Sequence, residues 1–141
     1  MVIVEIKKLH PDVKVPQYAH EGDAGFDLCS REDYLLSPGL RYTFMTGLEL
    51  QIPQGYVGSI RDRSGHAHKN GLHVLAGVID SNYRGEIGIV LINLGDKPFA
   101  VEKDMRIAQM LIQPVAEAEL IEVETLEDTV RNQGGFGSTG T

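Results

Sequence analysis

A short polar stretch between two apolar runs holds the strongest candidates for chemistry. The run that begins at Ala76 ends in the carboxylate of Asp80, a Ser-Asn pair follows, and Tyr83 and Arg84 come next, before the chain turns apolar again over Ile87–Ile92. Two apolar runs around a polar turn predict a strand, a tight connection and a second strand. We therefore expect an acid that can act as a general base, a phenol ring and a guanidinium to share one rigid hairpin end. The alternative is that the polar residues only form the turn, because Asp and Asn cap local backbone groups.

A second candidate is an anion site at the start of a short helix. Residues 61–71 break the strand pattern, with Ser64 suited to cap the helix and Gly71 suited to end it. The first turn of a helix offers free N–H groups and partial positive charge, and Arg63 stands beside it. The alternative is an ordinary surface helix with a solvated arginine. A protein-held metal is disfavoured, since no standard ligand spacing matches the three nearby histidines, His66, His68 and His73.

Two further polar features lie in otherwise glycine-rich or apolar surroundings. The stretch Gly22–Leu28 holds two glycines and the acids Asp23 and Asp27, which could help to hold a metal or its waters. The residue pattern alone favours the simpler alternative, turn residues that bond their own backbone. Gln109 is a polar residue inside the apolar run Ile107–Ile112. It must face solvent, bond to the backbone or bond to a ligand.

The C-terminal tail, residues 125–141, loses the apolar pattern and is rich in glycine. Such a composition predicts a segment that is mobile when free. Arg131, Ser138 and Thr139, with glycine N–H groups, could wrap a phosphate, and Phe136 could stack on a flat base. Eleven extended residues span roughly 36 Å, enough to reach a neighbouring subunit. The alternative is a disordered tail without a role.

The elements that would position these residues are mostly short strands. Alternation of apolar and polar residues over Leu40–Ile52 predicts a long half-buried strand, in which Gly47 predicts a bulge. Many strands separated by Gly, Pro, Asn and Asp turns predict an all-β sandwich or barrel with one short helix. The other predicted strands are Val2–Ile6, Tyr56–Ile60, Leu72–Ile79, Ile107–Ile112 and Leu120–Val123.

Composition narrows the class of protein. A chain of 141 residues is long enough for one domain with a real core. Its net charge of −7, without a basic run, disfavours nucleic acid as a partner. Cys29 is the only cysteine, which excludes an intramolecular disulfide and a cysteine-based zinc site. The N-terminus lacks a signal-peptide layout and the longest apolar run is too short to cross a bilayer, so we expect a soluble cytoplasmic protein without a membrane partner.

Five stretches occur in an order that resembles the trimeric deoxyuridine triphosphatase (dUTPase) family, and together they are highly specific. The resemblance covers essentially residues 1–141. It implies a distorted jelly-roll, β-clip-like subunit with a catalytic body, residues 1–124, and a C-terminal arm, residues 125–141, exchanged in a homotrimer to close a neighbour's active site. The stretches are Asp23–Leu28, Arg63–Gly65, Gly77–Glu86, Arg106–Gln109, and Arg131 with Gly134–Gly140.

The departures from the family pattern are modest, and none removes a group that catalysis would need. The family commonly has Pro where Asp62 stands and an aliphatic residue where His66 stands, so both change the charge beside the expected phosphate site. The remaining departures are Asn82, Asp104 and Asn132, where the family commonly has Asp, Gly and Gly.

By resemblance the reaction is hydrolysis of dUTP to dUMP and pyrophosphate, which removes dUTP and supplies dUMP for thymidylate synthesis. Asp80 would hold and deprotonate a water that attacks the α-phosphorus. Mg²⁺ would be bound mainly through the three phosphates, with Asp27 as a structural or indirect neighbour. Tyr83 would lie against the deoxyribose and exclude UTP.

The resemblance also assigns the substrate contacts. Backbone groups of Val74 to Ile79 would read uracil, because a strand edge carries fixed donors and acceptors. Phe136 would stack over the base and Arg131 would meet the terminal phosphate. The residues that would bind the phosphates are Arg63, Ser64, Gly65 and Gln109. The strand edge that would read uracil includes Val74, Gly77, Val78 and Ile79. The substrate-binding residues of the arm also include Gly137 and Ser138.

Two rival functions follow from the same residues. A dCTP deaminase-like enzyme needs a catalytic Glu on the strand after the hairpin, where this chain has Val90 between two apolar neighbours. The other rival is a non-catalytic protein, either a jelly-roll assembly subunit or a regulator that binds dUTP and a partner protein. A purely structural role would not need Asp80, Tyr83, Arg63 and Phe136 together. Both are therefore ranked below dUTP hydrolysis.

Overall fold

A computed structural model describes residues 1–140, which form ten strands and one helix. None of the helical segments in this part of the chain has the length and apolar character needed to cross a membrane. The elements are β1 Glu5–Lys8, β2 Phe26–Cys29, β3 Tyr34–Leu36, β4 Arg41–Gln51, β5 Tyr56–Arg61, α1 Ser64–Asn70, β6 Leu72–Leu75, β7 Val78–Ile79, β8 Glu86–Asn93, β9 Phe99–Val101 and β10 Arg106–Pro114.

The strands form two antiparallel four-stranded sheets that enclose one core. One sheet has the order β1-β4-β8-β6 and the other β2-β10-β5-β7, while β3 pairs with β9. Strand β8 alternates strictly, so that Ile87, Ile89 and Leu91 are buried. They join Phe44 of β4 and side chains such as Met110 of the second sheet in a single apolar cluster. The predicted all-β class with one short helix is confirmed.

Gly47 forms the predicted bulge in β4 and ties the strand to the end of the hairpin. Its φ is 72°, and the β4–β8 register shifts between Met45 and Glu49. The Gly47 N–H donates to the carboxylate of Glu86 at 2.8 Å. The first residue of β8 is therefore anchored to the middle of β4.

The predicted strand Leu72–Ile79 is wrong in its extent, because it divides into two strands in different sheets. β6 pairs with β8, whereas β7 pairs with β5. Ala76 and Gly77, with φ of 60° and 107°, carry the chain from one sheet to the other. The hairpin therefore closes between β6 and β8. Residues 76–85, here called the hairpin loop, connect these two strands and include β7.

The expected strand Leu120–Val123 is also absent from the described residues. Val115 N–H donates to Gly55 O at 2.9 Å, and hydrogen bonds farther along residues 116–140 stay within that segment. Its apolar side chains, including Leu120 and Ile121, are exposed. Strand structure needs hydrogen bonds to a partner strand, and residues 120–123 make none to the body within residues 1–140. The division into a body and an arm at residues 124/125 stays a prediction.

Candidate active site

Strands β2 and β10 and the β5–α1 junction bring several predicted residues together. The Asp27 carboxylate accepts hydrogen bonds from Arg63 Nε at 2.9 Å and from Arg106 Nη1 at 3.3 Å. Because β10 lies between β2 and β5, Gln109 sits opposite both Asp27 and Arg61. A cleft of about 330 Å³ is lined here by residues that include Asp27, Arg63, Ser64, Gly65 and Gln109. We call it the phosphate cleft.

The helix begins one residue earlier than a Ser64 cap would require. Arg63 occupies the N-cap position with extended backbone and no side-chain cap, and Ser64 is the first helical residue. The prediction of Ser64 as the N-cap is therefore wrong by one position, and no side chain competes for the first-turn N–H groups. Gly71 ends the helix as expected, in the left-handed conformation with φ 69°.

Gln109 makes a backbone contact, one of the three alternatives that its sequence position allowed. Its Nε2 donates to Asp62 O at 2.8 Å. A Cβ at Gly25 would lie 2.9 Å from Gln109 Oε1, so the glycine gives the amide room. The side chain is thus held rigidly between the β2 entry and the residue before Arg63.

The hairpin loop carries Asp80, Tyr83 and Arg84, all of which are exposed. Tyr83 N–H donates to Asp80 O at 3.1 Å, and the Tyr83 hydroxyl donates to Glu86 O at 3.0 Å. Asp80 is exposed, and its carboxylate makes no hydrogen bond within residues 1–140. Arg84 instead donates to Ser81 O and Tyr83 O, each at 2.8 Å. Arg84 thus shares the hairpin end with the acid and the ring, but its Nη1 is held by carbonyls of the turn.

The predicted uracil-reading edge is partly engaged within the chain. Val74 N–H donates to Asp62 Oδ1 at 2.6 Å, and Gly77 O accepts from Ile60 N–H at 2.7 Å. Val78 and Ile79 pair with Ser59 and Gly58 of β5. Backbone recognition of a base would therefore use the groups that these contacts leave free.

Gly77 should not tolerate a side chain. Its φ is 107°, and an added Cβ would lie 2.8 Å from Ile60 O. Gly77→Ala should lower the free energy of unfolding by about 2 kcal/mol or more, since strain and a backbone clash add. Urea denaturation measures this. Gly39→Ala is the control, since Gly39 has φ 76° but open space; about 1 kcal/mol is expected there. Equal losses would mean that the Ile60 contact carries no cost.

Within one chain, Asp80 lies far from the phosphate cleft. Ile79 pairs with Gly58, and the antiparallel direction carries Asp80 toward the start of β5, away from Arg63. Arg63 lies five positions beyond Gly58 along the chain, roughly 16 Å when the chain is extended. The arm residues are also elsewhere: Arg131 Nε donates to Gly134 O at 2.7 Å, and Phe136 is fully exposed. Gly137 and Ser138 are exposed in the same arm.

Sequence reasoning missed two contributors to this region. Arg106 was noted only as part of a motif, yet it shares the Asp27 carboxylate with Arg63. From the sequence, His66 was considered as a disfavoured metal ligand and as a change in charge. In the structure its Nε2 contacts Arg106 O at 3.0 Å, and its ring packs on Phe99 with a centroid distance of 5.3 Å. Two sequence features could have pointed to them. Arg106 lies in one of the five motif stretches, and His66 stands where the dUTPase family commonly has an aliphatic residue.

The structure gives little support to metal or thiol chemistry by side chains alone. Among residues 1–140, no group of three His, Cys, Asp or Glu side chains is placed to hold a metal ion. His66 and His73 contact different partners, Arg106 O and Asp62. Burial, followed by the charges of Asp104 and Asp27, raises the pKa of the Cys29 thiol. Cys29 is therefore not an activated nucleophile.

Comparison with known proteins identifies the family of this chain. The family model for dUTPase matches residues 11–140. A deoxyuridine 5′-triphosphate nucleotidohydrolase of Clostridium tetani is 51% identical over 139 residues, 97% of this chain and 96% of that protein.

Solved structures show the same fold. A mutant dUTPase of Staphylococcus bacteriophage 80alpha with dUpNHpp matches with a TM-score of 0.89 at 31% identity, over 99% of both chains. A mutant dUTPase from phage phi11 of S. aureus, which reveals the coordination of a structural Mg(II) ion, matches with a TM-score of 0.83 at 26% identity, over 89% of this chain and 99% of that one. The jelly-roll expectation is confirmed by these likenesses, and the chain belongs to the dUTPase family.

Proposed function

We infer that this protein hydrolyses dUTP to dUMP and pyrophosphate. The observation that carries the inference is the dUTPase match over residues 11–140, which spans all five motif stretches. The C. tetani relative, about half identical, bears the name of this activity. We also propose a cytoplasmic location, since the nucleoside triphosphate substrate is intracellular.

The direct test is pyrophosphate release from dUTP with Mg²⁺, run beside dCTP, dTTP and UTP, with ammonia assayed in parallel. Release from dUTP alone is expected. Ammonia from dCTP would favour a deaminase instead. Tight dUTP binding without turnover would favour a sensing protein.

We propose that each complete active site forms between subunits of a homotrimer. An attacking water on Asp80 must lie within hydrogen-bond reach of the acid and close to the α-phosphorus. Roughly 16 Å of extended chain separates Gly58, which pairs with Ile79 next to Asp80, from Arg63 in one subunit. One subunit would therefore supply the hairpin loop and another the phosphate cleft. The arm would come from a neighbour as well. Light scattering should report three chains per particle, and a monomer with full activity would contradict the assignment.

In this mechanism Asp80 holds the water and accepts its proton as the oxygen attacks the α-phosphorus. Its exposed carboxylate has no partner within residues 1–140 and is free to do so. The bond from the α-phosphorus to the bridging oxygen breaks, and pyrophosphate leaves with that electron pair. Arg63 and the first-turn N–H groups of Ser64 and Gly65 would stabilise the developing charge.

Asp27 and Gln109 would help to hold the groups of the phosphate cleft in position. Asp27 fixes the Arg63 guanidinium at 2.9 Å, and Gln109 is held by Asp62 O at 2.8 Å. The pairing with two arginines leaves Asp27 unsuited to direct metal binding unless one guanidinium moves. Asp23, the other carboxylate of the cleft, accepts from His20 N–H at 2.8 Å.

These contacts fit a magnesium ion held mainly by the substrate's phosphates and water rather than by a carboxylate cage. When bound with the nucleotide, Mg²⁺ would neutralise phosphate charge. Asp27 would then lie near its water shell.

The nucleoside would lie against the hairpin loop. Val74, Gly77, Val78 and Ile79 would contribute the backbone groups that their in-chain contacts leave free. From the arm, Phe136 would cover the base and Arg131 would meet the terminal phosphate, with glycine N–H groups and Ser138 beside it. The same phenol ring that braces the loop, Tyr83, would lie under the deoxyribose.

Tyr83 should control discrimination against ribonucleotides. Tyr83→Ala should raise UTP turnover relative to dUTP, in kcat/KM, by about tenfold or more, because a gap replaces the ring that a 2′-hydroxyl would meet. Tyr83→Phe is the matched control, since it keeps the ring and loses only the hydrogen bond to Glu86 O. Competition assays with both nucleotides measure the ratio. Unchanged discrimination in Tyr83→Ala would assign the role to another group.

A further inference from the structure

Asp62 joins three segments that surround the proposed nucleotide sites. Its Oδ1 accepts from Val74 N–H at 2.6 Å, and its Oδ2 contacts His73 Nδ1 at 2.7 Å. Its backbone oxygen accepts from Gln109 Nε2 at 2.8 Å. It is also the residue immediately before Arg63. One residue thus contacts β6, which leads into the hairpin loop, and β10, which borders the phosphate cleft.

The Val74 contact satisfies an otherwise open sheet edge. β6 is the terminal strand of its sheet and pairs only with β8 on one side. In an antiparallel strand the N–H groups alternate between the two edges, so Val74 N–H points outward, where β6 has no strand partner. A carboxylate gives this N–H a charge-assisted hydrogen bond, which is stronger than a neutral one.

The position of this contact matters for the loop that follows. Val74 lies two residues before Ala76, where the left-handed backbone begins and the chain crosses to the other sheet. The crossing is held on its other side by Ile60 N–H, which donates to Gly77 O at 2.7 Å. Asp62 and Ile60 therefore hold the root of the hairpin loop from the end of β5.

We propose that Asp62 is a positioning residue, whose carboxylate sets the hairpin loop in place for the nucleoside, an inference that rests on the proposed dUTPase activity. It is not a catalytic residue, because both carboxylate oxygens are engaged within the chain. His73, whose side chain is 53% exposed, contacts the Asp62 carboxylate on its solvent side. In the proposed trimer the loop and the cleft of one chain serve different nucleotides. Loss of the carboxylate should therefore affect nucleoside contacts and spare phosphate contacts.

The test compares Asp62→Ala with Asp62→Asn in the full-length protein. Loss of a hydrogen bond to a charged group should raise KM for dUTP about tenfold, with kcat changed less than about threefold. Inhibition by dUMP should weaken by a similar factor, whereas inhibition by pyrophosphate should change less than about twofold. Asp62→Asn should restore near-normal KM, because its Oδ1 can still accept from Val74 N–H. Amide hydrogen exchange at Val74 should accelerate in the Ala variant only.

Asp33→Ala is the matched control. Its carboxylate likewise accepts from a backbone N–H, that of Lys103 at 2.7 Å, but it lies on a different loop. It should leave KM and Val74 exchange unchanged. His73→Phe removes only the contact to Oδ2 and should raise KM less than about threefold.

Several results would overturn the proposal. Unchanged KM in Asp62→Ala would do so, as would equal weakening of dUMP and pyrophosphate or a fall in kcat alone. If Asp62→Ala fails to fold, a failure of Asp62→Asn to keep normal KM would also count against it. Absence of dUTP hydrolysis by the wild-type protein would refute the proposed function instead. In that case amide hydrogen exchange would still test whether Asp62 holds the Val74 N–H. Exchange at Val74 should be slow in the wild-type protein and fast in Asp62→Ala.

Discussion

Asp80→Asn should lower kcat for dUTP by about 1000-fold while leaving dUTP binding within a few-fold of normal. The amide is similar in size to the carboxylate but cannot accept the proton of the attacking water, and general-base catalysis is typically worth 100- to 10,000-fold. Asp80 makes no side-chain hydrogen bond within residues 1–140, so its replacement should not disturb the loop. Single-turnover kinetics, with nucleotide binding measured by calorimetry, separate the two effects.

Asp96→Asn is the control for this prediction, because Asp96 is an exposed acid in the turn after β8. It should leave both kcat and binding unchanged. Near-normal turnover in Asp80→Asn would remove Asp80 as the base and direct attention to another group on the hairpin loop.

Deletion of residues 131–141 should reduce turnover by at least about 100-fold without unfolding the protein. Residues 131–140 make their hydrogen bonds within the arm, so the body loses no hydrogen bond to them. Turnover would fall because the base would no longer be covered and the terminal phosphate would lack Arg131. Closure over a site excludes water and strengthens charge interactions. Steady-state kinetics and thermal unfolding of the truncated protein measure both parts. Full activity would mean that the arm has no catalytic role.

Mixed trimers test whose active site the arm closes. Truncated subunits keep Asp80, whereas full-length Asp80→Asn subunits keep the arm. If the arm closes a site that takes Asp80 from another subunit, co-expression of the two inactive forms should restore measurable activity. No recovery in confirmed mixed trimers would mean that both groups must come from the same chain.

The fold class was accessible from local patterns. Alternation over Leu40–Ile52 predicted β4, and Gly47 predicted its bulge, because side-chain period and glycine conformation are properties of a few adjacent residues. The same reasoning failed at Leu72–Ile79. Both β6 and β7 are apolar, and apolar character does not say which sheet a strand joins. It failed again at Leu120–Val123, where the pattern has no partner edge in the described chain.

For the candidate site as well, some features could be predicted from the sequence and others could not. The residue types of Asp80, Arg63 and Gln109 indicated an acid and an anion site, and the resemblance of the motif order to the dUTPase family implied dUTP hydrolysis. The sequence alone could not show that Arg84 turns back on the loop or that Gln109 binds Asp62 O. Those contacts depend on which backbone groups remain unpaired after the sheets form.

Local composition and residue order were enough to indicate the strand-rich class and the resemblance to dUTPases. Long-range packing was needed to show that Asp27, Arg63 and Arg106 meet. It was also needed to show that Asp62 holds Val74 and that Asp80 lies away from the cleft of its own chain. The physical reason is strand register. It places residues far apart in sequence side by side, and it is set by the packing of both sheets on one core rather than by any single stretch of chain.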